Sequence, residues 1–338
     1  MRDTRIDFLR FTGLMMIILA HVYPPPWLFQ LRNFDVPLMV FISGLSYRLS
    51  VKDESYGSYV WARVQRLVFP VWIFLTCYFV LLAATAWPVE LPSLEKVWRS
   101  YALLDGIGYV WVIRIFLLVA LLGPLVYRWH LAMPSHRHYL LSVLAAYVLY
   151  EFIVWQAAGL PAGLTKDLLQ QVVFYAVPYA LVFALGLRIP DLSTKAVLAL
   201  GLLFVATYLA YLGYHQLALG NWLPTQKFKY PPTAYYLGFA LMMAIGLYLT
   251  ANQWMQLCDR MRLTPLVLFV GSNSIWIYLW HILFLQVFKP VDDYRLWYWS
   301  VFAAAALLTY AQVWLVQQWL ARLTTKKSQR LVRTLLTG

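Results

Sequence analysis

The sequence predicts an all-α fold: a polytopic membrane protein of about ten transmembrane helices with both termini in the cytoplasm. Three observations lead there. Hydrophobic residues fill 62% of 338 positions and charged residues only 12%, with a mean hydropathy of +0.65, a balance typical of membrane chains rather than soluble domains. The apolar runs are long and continuous instead of alternating in ten-residue segments, which argues against a transmembrane β-barrel. Basic residues gather in short connections between those runs, so the net charge of +13 reads as a topology signal, and no nucleic-acid partner is expected.

The apolar stretches lie at about 6–23, 35–50, 67–87, 108–127, 139–158, 168–188, 192–213, 232–251, 264–287 and 297–320, each close to the length that crosses a bilayer. If successive stretches cross in opposite directions, connections on the amino-terminal side hold 17 Lys and Arg against 8 on the other side. Positive-inside bias then places both termini in the cytoplasm of a multi-pass plasma-membrane protein, in a bacterium the inner membrane. Residues 1–321 are expected to form one transmembrane domain, and 322–338 a basic cytoplasmic tail facing anionic lipid. No small-residue cleavage site follows the first stretch, which is expected to be retained. Cys77 and Cys258 fit no metal or redox spacing.

The first stretch, RIDFLRFTGLMMIILAHVY, carries Asp7, Arg10 and His21. Eleven residues at 100° each make about three full turns, so Arg10 and His21 project from one helix face roughly 16 Å apart, with Asp7 close to that face. Ionisable groups at membrane depth are costly unless they face a protein interior or a wet cavity, where they mark working sites. The other reading is a signal anchor with a snorkelling Arg10. In the second stretch, FDVPLMVFISGLSYRLS, Asp35 stands at the outer mouth two residues before Pro37. It suits a helix cap, and it also suits a carboxylate that orients His21 and leaves one imidazole nitrogen free as a base. Ser43 and Gly44 allow close helix packing deeper in the same helix.

WARVQRLVFP enters the third stretch with Arg63 and Arg66 three residues apart, a spacing that gives a helix two guanidiniums side by side for phosphate oxygens. Ordinary positive-inside topology accounts for them too. Arg48 and Lys52 lie on the same side and would strengthen an anion site. In GYVWVIRIF, Trp111 and Arg114 suit a sugar ring and its polar groups, or an interfacial belt. Glu151 is the one carboxylate well inside a helix, and either pairs with Arg114 or meets acceptor. His130, His136 and His138 have no Cys or acidic companion, and no metal is expected. The longest outer connection, YHQLALGNWLPTQKFKYPPT, is basic and aromatic and is the candidate for acceptor recognition through Lys229 and Tyr230. Ser274, Tyr278 and His281 share a face of the ninth stretch, which brings His281 to about the height of His21.

The ordered segments LRFTGLMMIILAH, FDVPLMVFISG, ARVQRLVFP, KYPPTAYYLG and GSNSIWIYLWH together resemble the acyltransferase-3 family of membrane proteins, over nearly the whole chain from about Arg5 to Trp319. The family's Arg and His separated by ten residues fall on Arg10 and His21, its paired arginines on Arg63 and Arg66, and its Ser-Gly motif on Ser43 and Gly44. The resemblance implies a roughly ten-helix domain that transfers an acyl group, usually acetyl, to hydroxyls of carbohydrates and cell-surface polymers. Acetyl-CoA is the donor so implied and a carbohydrate or glycolipid the acceptor, beside membrane lipid. On this reading Arg63, Arg66, Arg48 and Ser43 hold the donor and Arg10 lines its channel. His21 with Asp35 performs the chemistry, as a base or as an acyl carrier, and Trp111, Arg114, Lys229, Tyr230, Tyr278 and His281 meet the acceptor. The competing class is a glycolipid or polysaccharide flippase or exporter, in which the same polar stripe lines a path without covalent chemistry.

Overall fold

A computed structural model describes residues 3–50, 54–85, 92–104, 106–288, 293–323 and 325–337. These residues are mostly helical, with no strand among them. The chain begins with α1 (Thr4–Ala20), the short α2 (Pro26–Leu31), α3 (Asp35–Ser50), α4 (Tyr56–Ala84) and the surface helix α5 (Leu94–Tyr101). It continues with α6 (Trp111–Ala132), α7 (His136–Ala158), α8 (Leu164–Leu168) with the π-helical turn Leu169–Val173, and α9 (Phe174–Arg188). Next come α10 (Thr194–Leu219), α11 (Ala234–Arg260), α12 (Thr264–Ser272) and α13 (Ser274–Val287), then α14 (Tyr294–Leu320) and α15 (Lys326–Leu336).

Local sequence explains the boundaries. Asp3 caps α1 by accepting from the Arg5 amide at 3.0 Å, and the triplet Pro24-Pro25-Pro26 prevents its continuation past His21 because proline has no N–H to donate. Serines 55, 93, 135 and 193 cap α4, α5, α7 and α10 through their side chains, meeting amides that a helix start leaves unsatisfied. Gly220, in the left-handed region at φ 66°, ends α10.

By length and composition, seven described helices can cross a membrane, and α12 with α13 make an eighth if that bent pair is one span. The ninth apolar stretch is thus not one straight helix. It breaks at Asn273 with a bend of 86°, where the Asn273 side-chain amide and its own backbone N–H both donate to the Phe269 carbonyl, at 2.8 and 3.1 Å, and close the end of α12. The first two stretches are α1 and α3, of 17 and 16 residues, held in the middle of the bundle. Leu9 and Ile18 on α1 and Leu38, Val40 and Phe41 on α3 are completely buried.

Close packing at the centre rests on three glycines. A Cβ on Gly44 of α3 would lie 2.1 Å from the Phe183 carbonyl oxygen of α9, and one on Gly186 of α9 would lie 2.1 Å from the Phe41 carbonyl oxygen of α3. The two backbones therefore touch, which side chains would forbid. Gly271 at the end of α12 meets the backbone of Asp7 on α1 in the same way, its Cβ position 2.4 Å from the Asp7 carbonyl oxygen. The perimeter is the reverse. Leu144, Val148 and Phe152 on α7, Leu198, Leu202 and Leu209 on α10, and Leu307 and Leu315 on α14 are exposed, an apolar rim suited to lipid tails.

Two departures from the sequence reading bear on the site. Helix α4 starts at Tyr56, well before the apolar stretch, and its 29 residues make a rod of about 43 Å, which carries Arg63 and Arg66 as the helical neighbours their spacing predicts. The basic carboxyl-terminal segment forms α15, packed on α4 and α14. Trp276 Nε1 of α13 donates to the Leu335 carbonyl at 3.2 Å, and Gln312 of α14 donates to the Leu336 carbonyl at 2.6 Å.

Candidate functional site

A cavity of about 250 Å³ opens between α1, α3, α4, α6 and the α12–α13 break, and three guanidiniums line it: Arg10, Arg63 and Arg66. Among the described residues no carboxylate lines it. Arg10 donates to Ser46 Oγ at 2.9 Å and lies 3.9 Å from the Asp7 carboxylate. Arg63 stacks over the Tyr59 ring at 4.7 Å. Ser43 also lines the cavity, its hydroxyl donating to the Met39 carbonyl of its own helix at 2.8 Å. Three cations converging on one hollow make a site for an anion with several oxygens.

Arg48 does not belong to this group. It donates to Asp191 at 3.2 Å, and the same carboxylate lies 3.3 Å from His130 Nε2. The reason is helical phase: Ser43, Ser46, Tyr47 and Ser50 line the cavity with spacings of three and four, and Arg48 falls off that face. Lys52 lies outside the described residues. His130 and His136 converge on the buried Arg188, which donates to His136 Nδ1 at 2.9 Å and to the Pro134 carbonyl at 2.7 Å.

Tyr278 stands at the far end of the cavity, with its hydroxyl donating to the Tyr109 carbonyl at 2.5 Å. Behind it lies a pair of imidazoles. His21 Nδ1 is 3.0 Å from His281 Nε2, the rings are stacked with centroids 5.1 Å apart, and Tyr109 meets His21 edge-on at 5.0 Å. His281 Nδ1 in turn contacts the Tyr278 carbonyl. A carbonyl can only accept, so His281 carries its proton on Nδ1 and its Nε2 is a lone pair. His21 must then donate from Nδ1, and its Nε2 is left unprotonated. His281, completely buried, is thus the group that faces His21 Nδ1, the position in which the sequence reading set Asp35.

Asp35 is bound elsewhere. Its carboxylate accepts from Arg32 at 2.8 Å, from Lys229 at 3.5 Å and from the Val36 amide at 2.8 Å. All three ionic side chains are buried, and two cations beside it compete for a carboxylate more strongly than a neutral imidazole can. Burial draws the Lys229 ammonium below its ordinary range, Asp35 opposes this and Arg32 adds to it. Arg32 was legible only as a loop charge, although its three-residue spacing from Asp35 is that of a helical ion pair.

The remaining predicted residues form an aromatic group beyond the histidines. Tyr230 meets Trp111 at 5.2 Å in a T-shaped contact and Tyr175 at 6.2 Å. Arg114 lies over the Tyr175 ring at 5.2 Å and donates to Gln171 at 2.8 Å, a residue that the π-helical turn positions. Lys229 Nζ is 5.7 Å from the Tyr230 ring. Glu151 accepts from the Tyr147 hydroxyl at 2.5 Å and from the Ala234 amide at 2.9 Å, capping α11. Tyr109, Tyr175 and Arg32 were not singled out by their sequence context.

Comparison with known protein families matches residues 3–317 to an acyltransferase domain family, acyltransferase-3. No curated protein and no solved structure matches the chain.

Proposed function

Because the chain belongs to the acyltransferase-3 family, whose members are membrane acyltransferases, we propose that it moves an acetyl group from cytoplasmic acetyl-CoA to a hydroxyl of a cell-surface glycan or glycolipid. In this proposal the ten apolar stretches cross the plasma membrane, both termini are cytoplasmic, and the cavity opens to the cytoplasm. The observation that carries it is the position of Tyr278, which lines the three-arginine cavity and whose carbonyl meets His281, the partner of His21.

Each part has a task. Arg63 and Arg66 hold the donor's phosphates by charge-assisted hydrogen bonds, and Arg10 lies further along toward Tyr278. The unprotonated Nε2 of His21 removes the proton of the acceptor hydroxyl as its oxygen bonds to the thioester carbonyl carbon. The carbon–sulfur bond then breaks, and the leaving thiolate takes up the proton from His21. While His21 is charged, its Nδ1–H bond to His281 strengthens, and the Tyr278 carbonyl holds His281 in the accepting tautomer. Trp111, Tyr175 and Tyr230 offer flat faces to a sugar ring.

Incubating the purified protein with labelled acetyl-CoA and with membranes that contain the acceptor tests this reading. Acceptor-dependent release of CoA with label entering the glycan fraction supports it. Acceptor translocation without donor binding or acetyl transfer would replace it with a flippase.

A further inference from the structure

On the acceptor side of the histidine pair, buried positive charge is not balanced. Arg32 and Lys229 are 2% and 3% exposed and share one carboxylate, Asp35, itself 2% exposed. Among the described residues neither cation is fully satisfied. The Lys229 ammonium has three N–H groups and one acceptor, Asp35, at 3.5 Å, and the buried Nε of Arg32 has no hydrogen-bond partner. The other groups around them are aromatic: Phe29 under Arg32 at 3.8 Å, and Tyr230 and Tyr236 near Lys229 at 5.7 and 5.8 Å. Ring faces soften a cation's burial, but they do not neutralise it. The nearby carboxylate Glu151 accepts from two neutral donors, the Tyr147 hydroxyl and the Ala234 amide, and among the described residues it forms no ion pair with Arg32 or Lys229. On the opposite edge of the aromatic group, Arg114 adds a third cation.

Among the described residues this sugar-sized group of rings sets three cations, Arg32, Lys229 and Arg114, against two carboxylates, Asp35 and Glu151; the surplus attracts a substrate of opposite charge, and a low-dielectric wall strengthens that attraction. Resting on the acceptor assignment made above, we propose that the acceptor is acidic: it carries a carboxylate or phosphate close to the hydroxyl that is acylated, and Lys229 and Arg32 supply the field that seats it. Tyr230, 44% exposed, is the edge at which the anion arrives, with Lys229 directly behind it.

Mass spectrometry of glycans and glycolipids from cells that make the full chain, against matched cells that lack it, tests this after feeding with labelled acetate. The species that gain acetyl only when the protein is present should be anionic. Carbodiimide coupling marks a carboxylate as the source, and mild acid or phosphatase treatment marks a phosphate. With that isolated acceptor, Lys229→Met and Arg32→Met should each raise the acceptor KM about tenfold or more and change kcat less, and Lys229→Arg should restore most of the loss. Each Met variant keeps one cation on Asp35, and acetyl-CoA binding measured on the same preparations checks that the variants are folded. Acetyl on a neutral glycan, or an unchanged acceptor KM in both Met variants, overturns the inference and leaves the transferase intact. Absence of any acetylated species removes the transferase reading, and this inference with it.

Discussion

His21 Nδ1 and His281 Nε2 stand 3.0 Å apart although 260 residues separate them in sequence. The pairing fixes which nitrogen of His21 is free, because His281 is itself fixed by the Tyr278 carbonyl. Removing His281 therefore leaves the base in place but lets its proton move between ring nitrogens. His281→Ala should lower acyl transfer by roughly ten- to a hundredfold, the range seen when a partner that orients an imidazole is lost. His281→Gln, whose amide oxygen can accept from Nδ1, should recover part of it. Steady-state transfer rates at saturating donor check this, and equal losses in both variants would contradict the orienting role.

Arg63 and Arg66 face the cavity, whereas Arg48 is engaged by Asp191. Arg63→Ala and Arg66→Ala should each weaken acetyl-CoA binding by about 1.5–3 kcal/mol, roughly tenfold to a hundredfold or slightly more. Arg48→Ala should leave donor affinity within about twofold while lowering stability, since it frees Asp191. Isothermal calorimetry in detergent measures all three, and a loss in Arg48→Ala equal to that of the other two would return Arg48 to the donor site.

The α3–α9 contact predicts a stability effect far from any chemistry. Gly44→Ala and Gly186→Ala each force a methyl group against a backbone carbonyl, an overpacking cost of about 1–3 kcal/mol or more. Both should lower the midpoint of thermal unfolding in detergent. Gly57→Ala, where the added methyl meets nothing within 4 Å, should not lower it.

Sidedness follows from the distribution of basic residues. With Cys77 and Cys258 replaced by Ser, a cysteine introduced at the exposed Trp222 should react with a membrane-impermeant maleimide in intact cells. One at Ser328, on the exposed face of α15, should react only after the membrane is opened. The reverse pattern would invert the path from donor to acceptor.

Much of this was legible in the sequence because membrane helices announce themselves as continuous apolar runs, and because residues three, four or eleven apart share a helix face. Arg10, Arg63, Arg66 and Tyr278 were found that way and Ser43 through the family resemblance, and they line one cavity. What helical spacing does not reveal is the rotation of one helix against another. His21 and His281 could be set at about the same height but not face to face, and Arg48 could be set on the right side but not on the wrong face. Asp35 illustrates a different limit: a carboxylate near both a histidine and two cations goes to the cations, and that choice depends on burial. The 86° break at Asn273 has no proline to mark it, and only the polar run Ser272-Asn273-Ser274 within an apolar stretch hints at it.

The central claim is that His21 carries out the transfer while the arginines hold the donor. Its most direct test is His21→Ala, with acetyl-CoA binding and acetyl transfer to acceptor membranes measured on the same purified protein. Transfer should fall by about two to four powers of ten, as for loss of a general base, while donor affinity stays within about twofold of the native value. Substantial transfer by the well-folded variant, or a loss of donor affinity as large as that of Arg63→Ala, would contradict the account.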